Sequence, residues 1–420
     1  MKRYSTSLFL FALSALVYGQ FTATGTYKCY EKTYPGIEYL FVFDGMDSIS
    51  AIRYNGINYS TIKWYSFNNQ TTPIVLQDQT ENINIEDATG YIVEVDGVRS
   101  TIWVIDYSKY LPVFAALTPE DKPKEQCDGM NLIFDGNIPP MYYETPDLVK
   151  HNIVRYFSLQ YNTKVWSDKQ WIDKQISETI ETPTTPILIV NPPLCDTQFT
   201  LQGDSFATDL GRTLQKIESP SYRAVKVEGH ITSKTSIRNE LNEAERPSTA
   251  EIIDGSAPLE IIFQSNANTP TAEFYQWEIY KDGSLLFSRT DQDLRYTFTE
   301  AGTFKVRLTV SNANCENSDS ITVKVSESAI EVPRVFTPNG DGINDEFRVA
   351  YKSITSFKCW VFNRWQQKIY AWTDPQKGWD GKINGKPANT GAYFYIIEAV
   401  GSDGIKYNLK GNINLLRSNQ

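Results

Sequence analysis

VFTPNGDGINDEFRV, from Val335 to Val349, sets oxygen ligands among consecutive tight-turn residues. Asn339, Asp341 and Asp345 bring three side-chain oxygen groups together at short spacing, which is the chemistry of a calcium loop. An EF-hand requires oxygen ligands at alternate positions, Gly at the sixth and Glu at the twelfth. With Gly342 sixth, Thr337, Asn339 and Asp341 fall first, third and fifth, Asp345 falls ninth, and Arg348 falls twelfth. A cation stands where a bidentate carboxylate belongs, so an EF-hand is excluded and only a looser calcium site on Asn339, Asp341 and Asp345 survives. The structural alternative is a corner. Asn339-Gly340 and Asp341-Gly342 are consecutive turn dipeptides behind Pro338, and short polar side chains in such turns bond their own backbone. Apart from calcium, no cofactor is expected.

Catalytic constellations are absent from the sequence pattern. The chain has two histidines. His151 sits in LVKHNIVRYFSL beside an expected strand, and His230 follows Glu228-Gly229 in an expected turn. Neither neighbours a candidate nucleophile, and HExxH and GxSxG do not occur. Packing or surface roles are expected for both, and no catalytic residue is assigned. Carboxylates are abundant, but a glycosidase pair is defined by separation in space. The five cysteines, Cys29, Cys127, Cys195, Cys315 and Cys359, form no CxxC pair, which argues against zinc. Placing each bridge near the two ends of one module pairs Cys29 with Cys127 and Cys195 with Cys315. Trp64, Tyr65 and Phe67 are candidate contact aromatics, with core packing as the alternative.

The elements that carry these residues are read from periodicity. Phe304, Val306, Leu308 and Val310 alternate with polar residues, Tyr275, Trp277 and Ile279 share a face before the Asp282-Gly283 turn, and Ile321, Val323 and Val325 mark a later strand. Short period-two runs separated by turns predict an all-β protein of tandem immunoglobulin-like β-sandwich modules, ending in a small β-sandwich C-terminal domain. Ile172, Ile176 and Ile180, four apart after Ser167 and Asp168, leave a short surface helix open. Residues 233–247 (SKTSIRNELNEAERP) are expected to form a surface loop, because their few apolar residues cannot cover a core.

The chain opens with Lys2 and Arg3, an apolar run from Leu8 to Val17, and small residues before Gln20. This is the pattern of a secretory signal peptide over residues 1–19, too short for a membrane anchor. No later run approaches the length of a transmembrane segment. Removing Lys2 and Arg3 takes the formal charge from -10 to -12, which argues against nucleic acid as a partner. From Glu331 onward, twelve Lys and Arg stand against eight Asp and Glu, so a tail of net +4 follows a body of net -16. Proline-rich polar stretches at LTPEDKPKEQ and ETPTTPILIVNPPL, and the stretch ESAIEVP, predict β-modules over residues 20–118, 119–193 and 194–328 and a tail domain over 329–420.

PRVFTPNGDGINDEF, VFNRWQQKIY, WDGKINGKPANTGAYFYII and KGNINLLR follow one another in the tail. Together they resemble the gliding motility-associated C-terminal domain of Bacteroidota, the type B sorting domain of type IX secretion. The resemblance implies a sorting motif at Pro338, Asn339, Gly340, Asp341, Gly342, Asn344 and Asp345, at Asn363, Arg364 and Trp365, at Trp379, Asp380 and Gly381, and at Lys410 and Gly411. Two positions depart from it. Gln366 stands where Gly usually follows the NRW triplet, and Thr390 where Asp often precedes the next Gly. Residues 195–326, with YQWEIYKDG and YTFTEAGTFKVRLTVSNANC, are similar to a PKD immunoglobulin-like domain. The resemblance implies Sec export, then passage through the type IX translocon with an associated outer-membrane barrel protein. The expected protein is non-enzymatic, lies at the cell surface, in the outer membrane or outside the cell, and binds a surface ligand or protein partner through its N-terminal modules. The alternatives are a structural component of the secretion or gliding machinery, and a carbohydrate-binding or carbohydrate-active surface protein.

Overall fold

The computed structural model describes residues 20–68, 71–78, 80–182 and 186–417. The expected signal peptide lies outside the described residues. Almost all regular structure is β-strand, and among the described residues the one α-helix is the short α1, Ser205–Asp209. None of the described helices is long and apolar enough to cross a membrane.

The N-terminal unit is built around YLFVF, Tyr39–Phe43, a strand buried along its whole length. It runs parallel to Val98–Asp106 in the middle of a six-stranded sheet. A continuous apolar run signals a strand covered on both faces, and both covers are present. Phe41 and Phe43 pack with Phe21, Ile52 and Ile83, which belong to a three-stranded sheet. Leu40 and Val42 pack on the other side with Met141, Tyr143, Ile153, Phe206 and Leu210. Those residues come from far downstream: the hairpin Met141–Glu144/Lys150–Ile153 and helix α1.

The expected boundaries at 118 and 193 do not coincide with the sheets. Strand Val113–Pro119 pairs with Met130–Asn137, so a cut at 118 falls inside a strand. Strand β1 (Tyr156–Ser167) pairs with β2 (Gln170–Glu181) on one side and with Thr200–Gly203 on the other. One core joins Phe157, Leu159 and Leu188 to Phe199, Leu201 and Tyr222, across residue 193. Pro119 ends the edge strand Val113–Pro119, and Pro186 and Pro192 flank the edge strand Ile187–Val190, where a missing N–H costs no ladder bond. Ile172, Ile176 and Ile180 lie on β2, so the helical alternative does not hold. A spacing of four suits one helical turn and two pleats of a strand equally, and here the long pairing with β1 decides it.

The third unit has sheets of three and four strands around Trp277, Ile279, Phe304, Val306, Leu308 and Val310, the faces that alternation predicts. The expected loop begins as strand, since Thr232–Thr235 pairs with Leu259–Gln264, and continues to residue 247 without a further strand, with turns at residues 241–245 around an isolated bridge from Glu243 to Tyr351.

In the tail, β3 (Ala329–Glu331) pairs with β5 (Ala350–Lys352). Against this two-stranded sheet lies a five-stranded one. Its order is β4 (Val335–Phe336), β9 (Lys406–Leu415), β8 (Gly391–Gly401), β6 (Ile354–Phe362) and β7 (Lys368–Trp372). Phe336, Phe347, Val349, Trp379, Ile397 and Ile413 form its core.

The cysteine pairing differs from the expected one. Cys127 and Cys315 form the disulfide, while Cys29, Cys195 and Cys359 are free thiols. The assumption that a bridge closes one module fails because this bridge joins two, tying the second unit to the Asn312–Asn314 turn of the third. Burial pushes the Cys29 thiol up to about 12, with the Glu31 charge adding to it, so it is a poor nucleophile at neutral pH. Burial raises Cys195 and Cys359 as well.

Candidate functional site

The tail loop from Val335 to Val349 is organised around Asp345. Its carboxylate accepts N–H groups from Asn339 (2.9 Å), Gly340 (2.6 Å) and Gly342 (2.7 Å). Those bonds hold the Asp345 carboxyl below the usual carboxylate range. Asn339 Oδ1 accepts from Asp341 N–H at 3.2 Å, and Asp341 Oδ1 accepts from Ile343 N–H at 2.8 Å. The other Asp341 oxygen accepts from the Asn339 amide at 2.8 Å. Gly340 and Gly342 have φ of 81° and 84°, where a Cβ would be strained, and Asn344 takes φ of 54°. The oxygens that a calcium ion would need are thus turned onto the loop's own donors. Among the described residues no group of three or more His, Cys, Asp or Glu has an arrangement suited to a metal ion.

The two ends of the loop are anchored in the core. Phe336 and Phe347 are buried, and the Phe336 ring lies 5.4 Å from that of Trp379. Phe347 and Trp379 exchange both main-chain bonds, and Trp379 Nε1 donates to Lys382 O at 2.8 Å. Gly381 has φ of 71°, and a Cβ there would come within 3.0 Å of Pro338 Cγ and 3.1 Å of Leu415 Cδ1. Its carbonyl accepts from Arg417 at 3.0 Å. Asp380 accepts from Lys382 N–H at 3.0 Å, capping the turn. The loop, the Trp379-Asp380-Gly381 block and the chain end therefore form one cluster.

The remaining motif residues lie elsewhere in the tail. Asn363 Oδ1 accepts from Trp365 and Gln367 N–H, both at 3.0 Å, and closes the hairpin between β6 and β7. Gln366 occupies φ of 62°, so this turn keeps the left-handed position without glycine. Trp365 is 67 % exposed, with the Arg364 guanidinium 4.3 Å from its ring centre. Asn363 and Gln366 line one groove with Phe394, Ile396, Lys410 and Asn412. Gly411 is required locally, because a Cβ there would meet the Tyr395 hydroxyl at 2.6 Å. The motif thus falls into two groups.

Sequence reasoning missed the joint between the third unit and the tail. Ser353, buried at φ of 52°, donates its hydroxyl to Ser326 O (2.7 Å) and accepts from Ala257 N–H (3.0 Å). The Asp403 carboxylate accepts from Ser328 N–H at 2.7 Å and from its hydroxyl at 2.7 Å. The expected surface loop also docks here: Ala244 N–H donates to Tyr351 O and Tyr351 N–H to Asn242 O. Ser326-Glu327-Ser328 and Gly401-Ser402-Asp403-Gly404 read as ordinary turn residues, and no signal in the sequence marked this joint.

The histidines are packed against rings. His151 stacks on Tyr143 at 4.9 Å, and His230 stacks on Trp166 at 4.8 Å with Nε2 2.7 Å from Glu228. Trp64 and Phe67 are core residues, and Tyr65 is half-buried beneath Arg99, so these rings do not form the contact surface considered above.

Residues 330–415 match the CHU_C type IX secretion signal domain. A PKD domain matches at residues 256–325, and a fibronectin type III domain at 119–219. The last match also crosses residue 193. The chain carries a type IX secretion signal behind immunoglobulin-like β-sandwich domains, which implies export to the cell surface or beyond. None of the matched domains is of an enzymatic family. No curated protein matches the sequence. Among solved structures, the chain is similar to the tetra-tandem repeat in the extending region of a large adhesion protein. Identity is 9 %, coverage 90 % of this chain and 98 % of that one, and the TM-score 0.22. It is also similar to a Ca2+-stabilized adhesin of an Antarctic bacterium that binds ice (9 %, 88 % and 93 %, TM-score 0.20). A third is dimeric latent PorU from Porphyromonas gingivalis (9 %, 76 % and 35 %, TM-score 0.17). Scores this low carry nothing about function.

Proposed function

We propose that this is a non-enzymatic surface protein that binds a partner through its N-terminal β-units and is delivered by its tail domain. The type IX translocon and an outer-membrane barrel are its export partners. The observation that carries the reading is the closed cluster of the Asp345 loop, Trp379-Asp380-Gly381 and Arg417. It gathers the Asp345 loop and the Trp379-Asp380-Gly381 block, one of the two groups of the motif, into a single hydrogen-bonded feature. The partner surface is best sought on the sheet of Val113–Pro119, Met130–Asn137 and Ile187–Val190. There Ile133 and Ile187 are cross-strand neighbours and Ile189 is 76 % exposed. Deleting residues 335–420 is expected to trap the protein in the periplasm, as read by cell fractionation and surface proteolysis. Undiminished surface display would refute the delivery role.

A second reading, a lasting component of the secretion or gliding machinery, draws support from the connection to the tail. Residues 326–331 are held by Ser326 to Gly255, Ser328 to Asp403 and the β3–β5 pairing, so the connection offers no loose segment for removal of the tail. The full-length chain should then co-purify with a membrane barrel in fixed ratio, whereas cargo should be recovered with it only in passing.

A further inference from the structure

Strand β9 is paired with β8 along its whole length, from Lys406 opposite Val400 to Leu415 opposite Gly391, without a register shift. On its other side only Asn414 and Leu415 are paired, with β4. The main-chain directions follow from two bonds. Asn414 N–H donates to Arg334 O at 3.0 Å, and Leu416 N–H donates to Phe336 O at 3.1 Å. Even-numbered residues of β9 therefore aim N–H and C=O away from β8, because in an antiparallel ladder alternate residues turn outward. Lys406, Asn408, Lys410 and Asn412 have the same parity. Beside them the chain has peeled off: Ala329–Glu331 pairs in the other sheet, and Pro333 has no N–H to offer. A groove lined by Val332, Pro333, Leu409 and Lys410 follows this edge.

The chemistry of the edge selects among occupants. KYNLKGNINL carries two lysines and no acid. Lys406 and Lys410 are exposed, and Arg334 stands at the end of the groove. A second copy of β9 laid on this edge would set lysines against lysines, which charge repulsion disfavours. Across the outer face, Lys410 lies in a row with Ile396 and Trp360, and Asn412 in a row with Phe394 and Phe362. Phe394 is 48 % and Ile396 40 % exposed.

We propose that the open edge of β9 is a docking edge that takes up an extended acidic segment of a partner protein by strand addition. It rests on the reading of the tail as a delivery domain and names how that domain would grip its partner. Main-chain bonds to the four outward residues supply the affinity. Specificity comes from carboxylates four residues apart, one opposite Lys406 and one opposite Lys410, with uncharged β-formers between them.

The test uses the mature full-length chain and two synthetic peptides of alternating Thr and Val. One carries Glu at two positions four apart and the other carries Lys there. Amide exchange should slow at Lys406, Asn408, Lys410 and Asn412 with the Glu peptide. Binding of the Lys peptide should be weaker by roughly tenfold, from two reversed cross-strand charge pairs. Asn408→Pro removes one outward N–H and leaves the β8 ladder intact, so it should abolish the slowing. The pair Lys406→Glu and Lys410→Glu, which leaves every main-chain group in place, should invert the peptide preference. No slowing at millimolar peptide, or slowing at other strands, overturns the proposal. Slowing that rises with protein concentration alone would assign the edge to a second copy and also overturn it. Two cellular results separate this proposal from the delivery reading. If the 335–420 deletion is trapped while Asn408→Pro is displayed normally, only the edge proposal fails. If the deletion itself is displayed, the delivery reading fails.

Discussion

The first and last joints of this chain are built from opposite materials. At the first, the hairpin Met141–Glu144/Lys150–Ile153 and α1 push Met141, Tyr143, Ile153 and Phe206 into the neighbouring unit's core. They bury an Arg155–Asp204 ion pair completely beneath it. Asp204 also caps α1 through Ala207 N–H at 3.0 Å and accepts from Tyr107 at 2.7 Å. At the last joint, no buried apolar cluster spans the third unit and the tail among the described residues. Hydroxyls, main-chain groups and the Glu245–Lys352 pair at 2.9 Å fix the angle. Apolar burial makes two units one cooperative body, whereas polar contacts orient units that keep separate cores. The front of the molecule is therefore expected to unfold as one body and the tail as a separate one.

Asp204→Ala should produce the largest break in this contrast. It leaves Arg155 buried without its counter-charge, which costs about 3–5 kcal/mol. Calorimetry should show the first two units losing stability together while the tail transition stays in place. Asp403→Ala removes hydrogen bonds at the polar joint and should cost about 1 kcal/mol, moving only the tail transition. Equal shifts from both variants would erase the distinction. The smallest effect sharpens it through pH. The Asp345 pKa is lowered in the folded state, so its stabilising contribution is fully present above the unfolded value. It is lost as pH falls through the lower folded value. An NMR titration should find the Asn339, Gly340 and Gly342 amides moving together, with a midpoint below the ordinary aspartate value of about 3.9.

Local features of the fold were legible where one face of a strand meets water. Phe304 to Val310 alternate so cleanly that both strand and core follow directly. The tail was legible because its motif blocks resemble a known domain, and the structure gives their turns a physical reason: a Cβ at Gly381 would crowd Pro338, and Gly340 and Gly342 turn left-handed. The rest depended on distant partners. Nothing near Cys127 in sequence points to Cys315, 188 residues on. The prolines around Ile187–Val190 marked strand ends and read as linkers. Ile172, Ile176 and Ile180 fit helix and strand alike. Trp64 and Phe67 share a segment with half-buried Tyr65, and only the neighbouring strands decide which rings are inside.

The two-faced burial of Tyr39–Phe43 also has a bearing on order in time. A chain threaded from its N-terminus presents residues 20–106 long before the hairpin and α1 emerge. Until residues 141–153 and then 205–210 are out, Leu40, Val42, Phe67 and Trp103 lack the cover on one side that they have in the folded chain. The front sheet is therefore the part of the chain whose apolar surface stays open longest during vectorial emergence, and the part most exposed to aggregation before the fold closes.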